Sequence, residues 1–129
     1  MESPDTTPLP KVNIPGWFDD ETTHVVFHEG DTLIEDGSYD GRCYVILEGT
    51  VEIQRGGRAV AVEGPGSIVG EFSLIDEGPA TADVVATSET KAAFLSQERF
   101  DILVQQHPFF ARDVMKVMSI RMKQRKESM

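Results

Sequence analysis

The sequence predicts a mainly β fold, an antiparallel sandwich or roll, followed by two C-terminal α-helices. One observation is a series of short β-branched and aromatic runs closed by glycine turns, such as HVVFHEG, TLIEDG and CYVILEG. The other is a change of hydrophobic period from two to about 3.6 near Ser96. We therefore expect a flexible, proline-rich arm at 1–16, a β-roll at 17–95 and helices at 96–129.

The central strands show two kinds of burial pattern. Residues 44–47 form a nearly continuous apolar run, which predicts a strand covered on both faces. Val51 and Ile53 alternate with polar residues, which is typical of a strand with one buried face. The tetrapeptide RGGR at 55–58 then predicts a two-residue hairpin, because consecutive glycines accept the positive φ angles of such a turn.

The first predicted helix begins after Ser96, whose hydroxyl is a typical N-cap. Phe100, Leu103 and Val104 are expected on one apolar face. The helix should end at His107, because the residue that precedes a proline disfavours the helical conformation.

The second predicted helix begins at Pro108, since proline suits the first turn of a helix. Its apolar stripe consists of Phe110, Val114, Val117 and Met118. A neighbouring methionine face, Met115, Met118 and Met122, has two interpretations. It either packs on the chain's own β-roll or forms a homodimer or a contact with a partner protein.

Charge is distributed unevenly along the chain of 129 residues, whose net charge is −10. Residues 1–95 carry 18 acidic and five basic side chains, whereas residues 96–129 carry four acidic and seven basic ones. Because an acidic body repels a phosphate backbone, we expect no DNA binding by this domain.

Several features favour a cytoplasmic location. The single Cys43 excludes an internal disulfide. No apolar run approaches the ~20 residues that a membrane-spanning helix needs. The start MESPDTTPLP lacks the positive charge and apolar core of a signal peptide, so no membrane association is expected.

The segment 63–86, EGPGSIVGEFSLIDEGPATADVVA, does not have the pattern of a hairpin. After Gly70, the piece GEFSLID is short and mixed in period, which favours a single helical turn. Backbone N–H groups at such a turn together with the Glu71 carboxylate would suit a ligand that carries an anionic group and a sugar hydroxyl. The alternative interpretation is ordinary loop architecture.

Three segments, HEGDTLIEDGSYDGRCYVILEGTVEI, GPGSIVGEFSLI and LSQERFDILVQQHPFFARDVM, occur in that order between Phe27 and Met122. In sequence and spacing they resemble the cyclic nucleotide-binding domain family, which includes domains of catabolite activator protein and of kinase regulatory subunits. The resemblance implies a double-stranded β-roll, or jelly roll, that is followed by helices. It also implies that segment 70–82 is the phosphate-binding cassette and that cAMP or cGMP is the ligand.

The same resemblance implies roles for individual residues. Gly70 would let the backbone approach a cyclic phosphate, Glu71 would hold the ribose 2′-hydroxyl, and Phe72 and Ser73 would offer N–H groups. Leu74 and Ile75 would pack beneath the cassette. The full set of implied ligand-binding residues is Gly70, Glu71, Phe72, Ser73, Ala80, Thr81 and Ala82.

The chain departs from the family pattern at Ala80, where family members carry an arginine that binds the cyclic phosphate. Since a hydrogen bond to a charged group contributes ~1.5–3 kcal/mol, we expect weakened or altered nucleotide binding. Arg42 or Arg58 would be a substitute if either one reached the cassette. Asp83 adds a negative charge that also disfavours phosphate, whereas Thr81 matches members that prefer cGMP.

No motif predicts a catalytic or metal site. His24 and His28 lie four residues apart in a β-like run, which would separate them by ~13 Å along a strand. The His-x-His pair of metal-binding cupins is missing, and Ser67 and Ser73 lie in no recognisable nucleophile motif.

These observations favour a stand-alone, non-catalytic regulatory or sensor domain with weakened or altered nucleotide binding. The alternative is a degenerate β-roll that acts as a protein-interaction or scaffold module without a nucleotide ligand. A metal-dependent cupin enzyme is a more distant third interpretation.

Overall fold

The computed structural model describes Lys11 and residues 18–127, with no account of the side chains of 125–127. Apart from Lys11, the arm predicted at 1–16 therefore lies outside the described residues. A short 3-10 turn at Glu21–Thr23 precedes the first strand. The strands are β1 His24–Phe27, β2 Thr32–Ile34, β3 Tyr44–Glu48, β4 Val51–Arg55, β5 Arg58–Glu63, β6 Ile68–Val69, β7 Asp83–Ala86 and β8 Thr90–Phe94. The helices are α1 Glu71–Asp76, α2 Gln97–Gln106 and α3 Pro108–Glu127.

Within the described residues, eight antiparallel strands form two four-stranded sheets. The strand order is β1-β8-β3-β6 in one sheet and β2-β7-β4-β5 in the other. The helices α2 and α3 follow the last strand in the chain. The predicted β-roll with C-terminal helices is confirmed.

Strand β3 separates two hydrophobic cores. Tyr44 and Ile46 belong to the core between the two sheets, together with Val51 and Val84. Val45, on the opposite face of the strand, belongs to the core that the sheet shares with the helices. The uninterrupted apolar run is thus explained, because alternate side chains of one strand enter different cores.

The β4–β5 hairpin has the predicted two-residue turn. Arg55 pairs with Arg58, and the intervening Gly56 and Gly57 have φ angles of 59° and 78°. These positive angles are typical of a type I′ turn, whose twist matches that of the two strands. The buried face of β4, which includes Val51 and Ile53, is confirmed.

Helix α2 begins as predicted, with the Ser96 hydroxyl accepting a hydrogen bond from the backbone N–H of Arg99 at 3.2 Å. It ends at Gln106, one residue before the predicted end, and His107 is its C-cap. Phe100 and Leu103 are buried, but the expectation for Val104 is wrong, since this residue is 37% exposed. Val104 lies at the edge of the apolar face, and the buried stripe is too narrow to include it.

Helix α3 places Phe110, Val114 and Val117 in the core against the β-roll. Arg121 follows at the same helical spacing and is also buried, so the buried stripe of α3 ends in a charged residue. Met115 and Met122 are exposed on another face of the helix. Among the residues that the structure covers, no helix combines the length and apolarity required to cross a membrane.

Candidate functional site

The cassette begins at Gly70, which connects β6 to α1 with a φ of 86°. A Cβ atom at this position would collide with the Arg42 carbonyl oxygen and lie 2.8 Å from Cδ1 of Ile34. The position therefore requires glycine for both its backbone conformation and its packing. The close approach that Gly70 permits in this structure is to the chain's own 42–43 backbone.

An ion pair between Glu71 and Arg121 connects the cassette to helix α3. The guanidinium Nη1 donates to Oε1 of Glu71, and Nη2 donates to the Ile68 carbonyl at 2.9 Å. Only 1% of Glu71 and 8% of Arg121 is exposed to solvent. In such surroundings a charge is stable only when an opposite charge and hydrogen bonds compensate it.

A second buried carboxylate, Glu63, lies near the same guanidinium. Its Oε1 is 3.9 Å from Nη2 of Arg121, and its Oε2 accepts a hydrogen bond from the Ser67 hydroxyl at 2.9 Å. Ser67 in turn accepts a hydrogen bond from Nζ of Lys11 at 3.2 Å. Arg121 thus compensates two carboxylates that come from β5 and from α1.

One oxygen of this cluster has no hydrogen-bond partner. Oε2 of Glu71 is buried and unpaired within the described part of the chain. Because a buried carboxylate oxygen without a partner is unfavourable by about 1–3 kcal/mol or more, this atom is a strong acceptor for an incoming hydroxyl or N–H group.

A small cavity of ≈ 50 Å³ lies beside Glu71. All seven residues predicted to bind ligand are among those that line it, so the fold brings the two ends of segment 70–82 together. The lining residues are Ile34, Ile53, Arg55, Val69, Gly70, Glu71, Phe72, Ser73, Ala80, Thr81, Ala82, Val84 and Arg121. Known small-molecule pockets have volumes of roughly 300–1,000 Å³. This cavity is therefore much smaller than a nucleotide.

The wall that contains Ala80 is apolar. Ala80 and Ala82 belong to the core between the sheets, together with Ile34 and Ile53. Both backbone polar groups of Ala80 form hydrogen bonds with the loop before β3. Its N–H donates to the Ser38 carbonyl and its carbonyl accepts from the N–H of Gly37, each at 2.8 Å. Residue 80 therefore contributes a methyl group and no charge to the cavity.

The cavity is lined by two cationic residues, Arg55 and Arg121, that were not identified from the sequence as site residues. A signal existed for each. Arg121 continues the spacing of the buried stripe on α3, where an ionisable residue implies a buried partner. Arg55 continues the alternation of Val51 and Ile53, which places all three on the inner face of β4. Glu63, the second carboxylate, was also missed.

Two expectations for neighbouring residues need correction. Ile75 does not pack beneath the cassette, because it is 45% exposed, whereas Leu74 is buried as expected. Asp83 alternates with the buried Ala82 and Val84 and accepts a hydrogen bond from the Asp36 N–H at 2.8 Å. It is not part of the cavity wall.

The two arginines considered as substitutes also lie elsewhere. Arg42 forms a half-exposed ion pair with Asp40, with 2.8 Å between its Nε and the Asp40 Oδ2. Arg58 is exposed in the hairpin. Neither of them lines the cavity.

Cys43 lies in the core beneath the cassette and is fully buried. Burial raises the pKa of its thiol well above the usual range, and the negative charge of Glu71 raises it further. A thiol in this state is a poor nucleophile. Within the described residues no group of three or more histidine, cysteine or acidic side chains is placed to hold a metal ion. His24 instead contacts the Phe18 carbonyl through Nε2 at 2.8 Å.

Comparison with known proteins gives a consistent result. The profile of the cyclic nucleotide-binding domain family matches residues 24–107. The chain is 29% identical to the cyclic AMP receptor protein of Thermus thermophilus over 104 residues, which are 77% of this chain and 48% of that protein. The chain thus spans about half the length of this relative.

Solved structures show the same similarity. The catabolite activator protein of Thermus thermophilus superposes with a TM-score of 0.72 and 27% identity, covering 81% of this chain and 52% of the other. The regulatory subunit of a cAMP-independent protein kinase A from Trypanosoma cruzi, bound to guanosine, superposes with a TM-score of 0.59 and 29% identity. That match covers 64% of this chain and 30% of the other.

The burial of the charged cluster around Arg121 predicts that the stability of the protein depends on this residue. Arg121→Met should lower the free energy of unfolding by about 3–5 kcal/mol, because it leaves the buried carboxylates of Glu71 and Glu63 uncompensated. Urea denaturation measures this change. Arg112→Met, at an exposed position on the same helix, is the matched control and should change stability by less than about 0.5 kcal/mol. Equal changes in the free energy of unfolding for the two substitutions would contradict the idea that stability depends on the ion pair.

Proposed function

The chain belongs to the cyclic nucleotide-binding domain family, and from that premise we propose that it is a non-catalytic regulatory module with altered and weakened nucleotide binding. The similar proteins are regulators, a cyclic AMP receptor protein and a kinase regulatory subunit. The single observation that carries the proposal is the buried, unpaired Oε2 of Glu71 beside the cavity.

Glu71 is the proposed ribose contact. Its Oε1 accepts a hydrogen bond from Arg121, whereas Oε2 accepts no hydrogen bond from the described residues. A ribose hydroxyl can donate to that oxygen and remove the unfavourable free energy of the unpaired acceptor. The same ion pair holds the carboxylate in a defined orientation before the ligand arrives.

Recognition of the phosphate is proposed to be the weak part of binding. Residue 80, where the family resemblance leads us to expect an arginine, is an alanine within an apolar wall. Nearby, the guanidinium of Arg121 is engaged by the carboxylates of Glu63 and Glu71, so it is not available to bind a phosphate.

Ligand binding is proposed to act on helix α3. A ligand larger than the ≈ 50 Å³ cavity must move the cassette relative to its surroundings. Arg121 joins Glu71 of α1 to Ile68 of β6 and to α3, so displacement of α1 changes the contacts of α3. The two states would differ in the partners of Arg121, which gives the ligand a means to shift their equilibrium.

A role in protein association is supported by a separate feature of α3. A groove on α3 is lined by Met115, Met118, Ser119, Met122 and Lys123, and its Met118 also packs against the core that the helix shares with the roll. Met115 and Met122 are more than half exposed. A flexible apolar surface of this kind suits a second copy of the chain or a partner protein, and we propose a homodimer through α3.

Titration with cAMP tests the role of Glu71. Wild-type protein should bind cAMP more tightly than 2′-deoxy-cAMP by ~10–100-fold, because one hydrogen bond to a charged acceptor is lost. Glu71→Gln should lose this difference. Isothermal calorimetry measures the four affinities, with the exposed Glu29→Gln as a control that retains the difference. Equal binding of the two ligands by wild type, or binding of neither, would refute the proposal.

Introduction of an arginine at the apolar wall tests the weakness of phosphate recognition. Ala80→Arg should increase the affinity for cAMP by ~10-fold or more and leave that for adenosine unchanged, because only cAMP has a charge to bind. Ala59→Arg makes the same substitution at an exposed position of β5 and should change neither affinity. Thermal unfolding establishes that each variant is folded. The idea fails if folded Ala80→Arg binds cAMP no better than wild type.

Sedimentation equilibrium tests the association through α3. Wild-type protein at micromolar concentration should sediment with twice the monomer mass. The double substitution Met115→Lys and Met122→Lys should give the monomer, because it places charges on the apolar face. Val62→Lys, at an exposed apolar position of β5, should remain dimeric. A monomeric wild type would exclude the homodimer.

A further inference from the structure

The cavity beside Glu71 has cationic residues on two sides, and they are in different situations. Arg121 reaches it from α3 and is paired with the carboxylates of Glu71 and Glu63. Arg55 reaches it from the end of β4. Arg121 thus comes from α3 and belongs to the ion-pair cluster, and Arg55 is a cationic residue that the β-roll contributes to the cavity wall.

The inward direction of Arg55 follows from the strand and its turn. Val51 and Ile53 face the core between the sheets, and Arg55 follows at the same two-residue spacing. Arg55 is paired directly with Arg58 across the tight turn at Gly56 and Gly57, and the hairpin register shifts between Ile53 and Gln54. A long polar side chain at the open end of a buried strand face can reach the cavity without burying its charge in the core.

The backbone of the cassette anchors Arg55. Its Nε donates to the Thr81 carbonyl at 3.4 Å. Thr81 directly follows Ala80, so the guanidinium lies beside the apolar wall described above. Since Nε is used for this anchor, the orientation of the guanidinium plane relative to the cassette is restricted.

We propose that Arg55 binds the anionic group of the ligand, so that the cavity selects a nucleotide over an uncharged nucleoside. This inference rests on the proposed function, because it concerns the second half of the same ligand. A guanidinium presents several N–H donors in one plane and binds phosphate oxygens with paired, charge-assisted hydrogen bonds. Glu71 accepts a hydrogen bond from the ribose hydroxyl, and Arg55 donates hydrogen bonds to the phosphate. The phosphate is therefore bound by a residue of β4 and not by residue 80.

The test compares cAMP with adenosine, two ligands that share the base and differ in the cyclic phosphate. Arg55→Gln should weaken cAMP binding by ~10–100-fold and leave adenosine binding unchanged, because only the charged contact is lost. Arg55→Lys should give an intermediate loss, since it keeps the charge without the planar donor arrangement. Arg58→Gln, which removes the same charge on the other side of the hairpin, is the matched control and should behave as wild type.

A second measurement needs no variant. In wild-type protein, an increase in salt concentration should weaken the binding of cAMP and leave the binding of adenosine nearly constant, because salt screens only the charged contact. This comparison applies even if a substitution at Arg55 disturbs the hairpin, which thermal unfolding of each variant would reveal.

The outcomes distinguish this inference from the proposed function. If wild type binds adenosine as tightly as cAMP, or if folded Arg55→Gln weakens both ligands equally, Arg55 does not bind the phosphate, whereas the role of Glu71 remains supported. If Arg58→Gln weakens cAMP binding as much as Arg55→Gln does, the effect comes from the overall charge of the protein, and the assignment to Arg55 is wrong. If wild type binds neither ligand, the proposed function itself fails.

Discussion

The buried ion pair between Glu71 and Arg121 is the constraint on which the arrangement of the site depends. Buried ion pairs are a weak source of stability, because desolvation opposes the attraction of the charges, but the loss of one partner is strongly destabilising. Arg121 also binds the Ile68 carbonyl and approaches Glu63, so one side chain of α3 joins residues of β5, β6 and α1. The position of the cassette and the position of the long helix are therefore not independent.

This dependence gives a physical basis for regulation by a small ligand. The two hydrophobic cores are formed by opposite faces of β3 and are largely complete without the cassette. The polar cluster lies where they meet, with an unpaired acceptor beside a cavity too small for a nucleotide. In the proposed binding, a ligand would donate a hydrogen bond to Oε2 of Glu71 while Arg121 remains on Oε1. Packed cores respond to such a local change by shifting between discrete arrangements, which would carry the change from the cassette to α3.

Much of the fold was predictable because its signals are local. The Gly56-Gly57 turn, the Ser96 cap and the break before Pro108 each depend on the conformational preferences of one or two residues. The same is true of the helical turn after Gly70. The expectations for Val104 and Ile75 were wrong for a related reason, since hydrophobic spacing identifies a face of a helix but not how far the neighbouring layer extends over it.

The sequence by itself determined the turns and the approximate extent of the strands and helices, because backbone preferences act between near neighbours, and its resemblance to a family pointed to the seven cassette residues. Only the tertiary structure decided which charges meet there. Arg55, Glu63 and Arg121 come from separate elements, and Arg121 is 50 positions from Glu71 in the chain. Local conformational preferences do not determine these contacts, because the contacts depend on strand pairing and on the packing of α3 against the roll.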